Sequence, residues 1–288
     1  MPHPRDPHLL SDLAVDDIQA YLERRRTILI PIASTEQHGP HLPLSTDTIT
    51  ALEVSRRTAE AADVLYTPTV WTGYSPQHLR EPQSGTGTIS VRASTFQELL
   101  VDIARSLIHH GFTHLIFVNG HGSNMKIIDP VLRRLRYETG AFVAVYKPYA
   151  ERYMGLVDDL LENPREETPG WHASELETSQ VMAFDETLVV RDRMAETVVT
   201  APDWLPDSFE KADGAPDIEF DGYQYFVMPM DHQEFSDTGV IGNPMRATKE
   251  KGEEAFRRFA DHLAKAIPEF EKVEVEIREP SRDWKERV

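Results

Sequence analysis

Cysteine is absent from the sequence. That excludes disulfides, thiolate nucleophiles and cysteine-ligated zinc, and it removes the usual guide to redox compartment. Long apolar runs are absent too. None approaches the roughly 18 residues of a membrane span, and no apolar segment of secretory type stands near residue 1. Positive charge is scarce: 30 Lys and Arg face 48 Asp and Glu, for a net charge of −18. The densest basic cluster, Arg24, Arg25 and Arg26, closes a helical pattern and reads as a solvated helix end, not as a nucleic-acid footprint. No internal repeat or low-complexity tract is present. These absences lead to the expectation of a cytoplasmic protein with neither membrane nor nucleic-acid partners.

What is present is a chain of 288 residues with 40% apolar content, enough for a sizeable core in one large domain or two small ones. One stretch dominates it: ILIPIASTEQHGPHLPLSTD, residues 28–47. A buried-strand pattern at 28–33 runs into Glu36, His38, His41 and Asp47. Carboxylates and imidazoles packed this closely behind a buried strand are costly to bury without a partner. A divalent metal is the obvious one, and residues two apart in extended chain, such as Glu36 and His38, face the same side. Zinc, manganese and iron all accept this donor mixture. A plainer reading stands beside it: Asp47 caps the helical pattern that follows, and Glu36 and His38 are solvated loop residues.

The rest of the chain alternates strand and helix patterns. A helix pattern ending near 26 precedes the first strand. A helix at 48–62 and a strand at 63–70 follow it. Residues 71–90 form a long Gly-, Ser- and Pro-bearing connection, of the kind that is functional or mobile in compact domains, with His78 within it. A helix at 94–110 leads to HLIFV, a continuous apolar strand of the type found in parallel sheets covered on both faces. That strand runs into NGHGSN and a further helix. In open α/β sheets ligands bind beyond the carboxyl ends of strands, which places His121 where an active-site residue belongs. A strand at 141–147 and a loop with Tyr149 come next. Then WHASELETSQVMAF places Trp171 and His172 just ahead of a helix. Ser174 and Glu177 have the spacing of a capping box, the structural alternative for Glu177. Residues 185–220 are weakly patterned, GYQYFVMPM reads as a strand, a loop with His232 follows, and an amphipathic helix at 247–267 precedes a charged tail at 268–288.

Four blocks now resemble one family: STEQHGPHLPLSTD at 34–47, NGHGSN at 119–124, HASELETS at 172–179 and DTGVIGNPMRATKEKGE at 237–253. The sequence is identified as a member of the creatininase (creatinine amidohydrolase) family over about 27–266. The resemblance implies a single α/β domain, a three-layer α/β/α sandwich with a mostly parallel central sheet, often assembled as a hexamer. It implies two divalent metal ions, zinc foremost, with manganese or iron in some members. By position, Glu36, His38, Asp47 and His121 match the metal ligands, with Asp47 bridging. His172 matches a histidine that assists proton transfer. Glu177 is a candidate further ligand and catalytic group, and Ser75 matches a substrate contact.

The sequence departs from creatininase at Ser123, where creatininase itself has a glutamate ligand, so a second metal needs another donor, with Glu177 in reach of that role. The aromatic residues around creatinine are not reproduced. The expectation is a metal-dependent hydrolase in which an activated water attacks a small polar cyclic amide or related carbonyl. Ser75, His78, Tyr149, Trp171 and His232 are the candidate substrate-binding residues. Family members acting on formamides, a peptide or cyclic ketones keep C–C hydrolysis of a cyclic diketone, such as a dehydro-inosose, as the alternative. A non-catalytic metal- or sugar-binding scaffold is the reading from another class. A phosphate-loop role for NGHGSN lacks the lysine and full spacing of a nucleotide fingerprint.

Overall fold

The computed structural model describes residues 5–148, 155–162, 172–195, 197, 199–211 and 217–278. Four parallel strands form the central sheet: β1 (Thr27–Ile32), β2 (Leu65–Tyr66), β3 (His114–Asn119) and β4 (Phe142–Tyr146), in the order β2-β1-β3-β4. β1 and β3 are buried at every position, as their unbroken apolar sequences require of strands covered on both faces.

Side-chain alternation along the strands sorts the helices into two layers. Leu29, Ile116 and Val118 point into a cluster with α2 (Thr46–Ala62), α5 (Glu175–Asp185) and α6 (Lys249–Phe270). Ile28, Ile30, Ile32, Leu115 and Phe117 point the other way. There they meet α3 (Ala93–His109), α4 (Met125–Thr139) and Tyr21 of α1 (Val15–Arg24). The α/β/α sandwich expected from the sequence is therefore the fold observed. Among the described residues no helix is long and apolar enough to cross a membrane.

Three elements differ from the sequence reading. The strand expected over 63–70 narrows to β2 and a single bridge at Val70, because Pro68 has no N–H to give a ladder. The weakly patterned stretch up to 220 contains structure. β5 (Phe209–Glu210), β6 (Asp217–Phe220) and β7 (Tyr223–Val227) form a second, antiparallel sheet over a small cluster that includes Leu205, Ile218 and Phe235. The tail does not leave the body at 268. α6 runs to Phe270, Ile277 packs on the α3–α4 layer, and the Arg278 N–H donates to the Thr139 carbonyl at 2.9 Å.

Register decides where the functional loops emerge. Ile32 of β1 lies opposite Asn119 of β3, so the two strands end level. The loop carrying Glu36 and His38 and the turn carrying His121 leave the sheet side by side. Gly120 lets α2 come close: a Cβ there would lie 2.4 Å from the Asp47 carbonyl oxygen.

Candidate metal centre

Glu36, His38, Asp47, His121 and Glu177 converge at the carboxyl end of the sheet, and all are buried. Two donor groups share Asp47: Glu36, Asp47 and His121 form one, and His38, Asp47 and Glu177 the other. His121 Nδ1 is 3.0 Å from Asp47 Oδ2 and 3.3 Å from Glu36 Oε1. His38 Nε2 is 3.2 Å from Asp47 Oδ1 and 3.6 Å from Glu177 Oε2.

These atoms are close but mis-aimed for each other. Glu36 Oε2, His38 Nε2 and Asp47 Oδ2 are buried without a hydrogen-bond partner. Leaving such groups unpaired in the interior costs about 1–3 kcal/mol each, more when charged. Donor atoms that converge on a common point instead of on one another fit a divalent ion, so the residues present suit a metal.

The opposite nitrogens of the imidazoles are pinned. His38 Nδ1 donates to the Glu36 carbonyl at 3.1 Å, and His121 Nε2 to the Tyr74 carbonyl at 3.0 Å. A main-chain carbonyl on one ring nitrogen fixes the tautomer and turns the lone pair of the other inward, the arrangement typical of metal-ligating histidine.

The plainer alternatives do not match the geometry. Asp47 lies inside the first turn of α2, and the N-cap is Ser45. No capping box forms at α5: Ser174 makes no side-chain cap bond and its Oγ is unpaired. Glu177 Oε2 accepts from the Ala173 N–H at 2.5 Å and lies toward His38.

Electrostatics follow from three buried carboxylates sharing one volume. Burial works against protonation of His38, yet Asp47 and Glu177 raise it well above its ordinary value. His121 is likewise opposed by burial and raised to about 10 by Glu36 and Asp47. Burial would push Glu36 up, but His121 and His78 hold it well below the usual carboxylate range. The cluster demands positive charge.

His172 stacks on His38 with centroids 4.3 Å apart. Burial, then the charges of His38 and His78, lower it to about 3. His172 is thus held neutral. His78 and His232 pack against it at 5.2 and 4.7 Å. Burial, with His78 and His172 as neighbours, keeps His232 well below its ordinary value.

Ser75 has a different placement from the substrate contact expected of it. It is fully buried, bonded to Ser34 Oγ at 2.6 Å and to His121 Nε2 at 3.1 Å. The short connection from Gly73 tucks it behind His121, where it supports that ring. Glu177, not a residue of the NGHGSN turn, completes the second carboxylate–imidazole group. His41 is buried behind the loop against Thr178 at 3.0 Å. Tyr149 and Trp171 lie outside the described residues. Sequence reasoning passed over Gln37, between two candidate ligands, and the Tyr74 carbonyl. The position of Gln37 within EQH was the only signal for it.

Beside the histidines lies a cavity of about 470 Å³ lined by Gln37, Arg80, Gln83, Ser84, Gln233 and Thr238 among others. Its side chains offer amides, hydroxyls, a guanidinium and the carboxylates of Glu81 and Asp237, and no aromatic ring.

An α/β/α sandwich with two carboxylate–imidazole groups sharing one aspartate defines the class of metal-dependent hydrolases. The profile of the creatininase family, described as creatinine amidohydrolase, matches residues 11–267, and the chain belongs to that family. A mycofactocin precursor peptide peptidase of Mycolicibacterium smegmatis is 29% identical over 252 residues, covering 85% of each chain. A creatinine amidohydrolase of Pseudomonas putida is 29% identical over 257 residues, covering 84% of this chain and 88% of that one. A 3-dehydro-scyllo-inosose hydrolase of Thermotoga maritima is 25% identical over 263 residues, with 88% and 81% covered. Among solved structures, one described as creatininase with Mn superposes with a TM-score of 0.68 at 25% identity, covering 91% of this chain and 98% of that one. Another creatininase is described as of Zn–Zn type.

Proposed function

We propose that this chain is a binuclear metal-dependent amidohydrolase acting on a small polar carbonyl compound. The observation that carries the reading is Asp47, buried and common to two three-residue donor groups. Glu36, Asp47 and His121 would hold one ion, and His38, Asp47 and Glu177 the other. Zinc suits this donor mixture best, with manganese or iron also accepted. Two such ions supply Lewis acidity and bring the pKa of water toward neutrality.

The chain's own residues then handle the proton. His172, held neutral by burial, enters turnover as an acceptor. Its Nε2 lies 2.9 Å from the Gln37 carbonyl, so that nitrogen keeps its proton. Nδ1 receives the proton of the attacking water and passes it to the leaving nitrogen. The acceptor role comes first; the sequence alone suggested only that His172 assists proton transfer. His78 and His232 close the site around His172, and Ser75 steadies His121 from behind.

The cavity at Gln37 and Arg80 supports a polar substrate. It also favours a second reading, C–C hydrolysis of a polyhydroxylated cyclic ketone, because its amides and hydroxyls match a polyol better than an apolar ring. A cytoplasmic homo-oligomer, with no nucleic-acid or membrane partner, belongs to the same proposal.

The test is metal content per chain by elemental analysis on untagged protein, wild type against Asp47→Ala. The expected result is close to two ions, both lost in the variant, with turnover of a cyclic amide, formamide, short peptide or cyclic diketone abolished. A metal-free Asp47→Ala protein with full activity would overturn it.

A further inference from the structure

Gln37 stands between two proposed ligands, Glu36 and His38, and belongs to neither donor group. Its side chain forms part of the wall between the polar cavity and the histidines. One end of its amide is fixed: the Gly39 N–H donates to Oε1 at 2.9 Å. The –NH₂ therefore occupies the other side, 3.1 Å from His78 Nδ1 and 3.5 Å from the Gly239 carbonyl.

Donor and acceptor inventories then decide two tautomers. An amide –NH₂ only donates, so His78 Nδ1 accepts and His78 carries its proton on Nε2. A carbonyl only accepts, so His172 Nε2, 2.9 Å from the Gln37 carbonyl, bears the proton, and the lone pair is on Nδ1. The amide nitrogen is also 3.2 Å from His172 Nε2, but two donors make no bond there.

The two rings turn opposite faces to one oxygen. His78 Nε2 lies 3.4 Å from Glu36 Oε1, and His172 Nδ1 lies 3.8 Å from it. His78 turns its N–H side toward that carboxylate without a hydrogen bond, and His172 turns a lone pair. That N–H faces Oε1 without bonding it, since His78 Nε2 and Glu36 Oε2 both lack a hydrogen-bond partner, and it leaves Oε2 for an ion. It also removes His78 from service as a third imidazole ligand beside His172 and His232, a group otherwise close enough to hold a metal.

We infer that Gln37 is a positioning residue: through its side chain it places the His78 proton on Nε2, facing Glu36, and through its carbonyl it places the His172 lone pair on Nδ1. The consequence for turnover rests on the hydrolase reading above; the tautomers do not.

Long-range ¹H–¹⁵N spectra of zinc-loaded, ¹⁵N-histidine-labelled protein read the tautomers directly, with His78→Gln assigning the His78 signals. Both rings are expected as Nε2–H in the wild type. In Gln37→Glu a carboxylate replaces the donor, so His78 switches to Nδ1–H while His172 stays as it was. kcat falls roughly 10–100-fold with KM little changed, the usual cost of disturbing the residues behind a metal ligand. Gln37→Met, close in length and without a donor, gives mixed His78 tautomers and serves if Gln37→Glu fails to fold. A wild-type His78 protonated on Nδ1, or a His78 that keeps Nε2–H in both variants, would overturn the inference. Protein that binds no metal yet shows these tautomers would sink the hydrolase reading and leave this one standing.

Discussion

At the residue scale the sharpest question is whether Glu177 is a ligand or a cap. As a cap, its loss would cost about 1 kcal/mol with or without metal. As a ligand it behaves differently, because it is one of three buried carboxylates around His38 and His121. Glu177→Gln removes one negative charge from that crowd while an amide oxygen still accepts from the Ala173 N–H. The expected outcome is a chelator-treated variant at least as stable as wild type and a zinc-loaded variant clearly less stable, with one ion fewer per chain. Thermal unfolding with and without zinc makes the measurement, and an equal loss in both states would restore the cap. The candidate ligands were legible in the sequence because Glu36, His38 and Asp47 fall in one short block and His121 follows an obvious strand. Which imidazole joins which carboxylates was not legible, because it depends on Ile32 pairing with Asn119 across the sheet. The placement of Ser75 against His121 has the same non-local origin.

At the element scale the helices that carry the site are held by backbone proximity as much as by side chains. Gly252, in α6, abuts α5: a Cβ there would meet the Ser179 carbonyl oxygen at 2.0 Å and its carbon at 2.4 Å. Propensity alone says that Gly→Ala inside a helix gains up to about 1 kcal/mol. Backbone atoms cannot step aside as a flexible side chain can, and overpacking typically costs about 1–3 kcal/mol. The clash therefore wins. Gly252→Ala is expected to lower Tm by several degrees and, because Ser179 lies only two residues beyond Glu177 in α5 so that a shift of this turn moves both, to weaken zinc affinity as well. Differential scanning calorimetry and a zinc titration check this; a raised Tm would mean that propensity decides. Sequence patterns gave the main strands and helices, since apolar runs and 3.6-residue periodicity are local signals. They gave β7, within GYQYFVMPM, but missed β6 and the hairpin that joins the two. Its signal was Asp221–Gly222, two residues that take left-handed φ values of 51° and 79° and fit a two-residue turn between twisted strands.

At the scale of the whole molecule a strong charge opposes an apolar edge. The net charge of −18 keeps copies apart at low ionic strength. β7 ends the small antiparallel sheet, with no strand on its outer side among the described residues. It exposes Tyr223 at 61%, Tyr225 at 83% and Val227 at 69%, three side chains on one face. An exposed apolar edge without lysine or proline is a template for pairing unless something covers it. Salt shortens the reach of the repulsion, to about 10 Å at 0.1 M and about 3 Å at 1 M, and leaves apolar contact intact. Self-association should therefore strengthen as salt rises. Tyr225→Glu with Val227→Glu should weaken it at every salt concentration, because each change removes apolar area and adds a negative charge at the contact. Sedimentation velocity at low and high salt decides the matter: smaller species in the double variant place the contact on β7, whereas an unchanged assembly places it on another face and leaves β7 an edge kept soluble by charge alone.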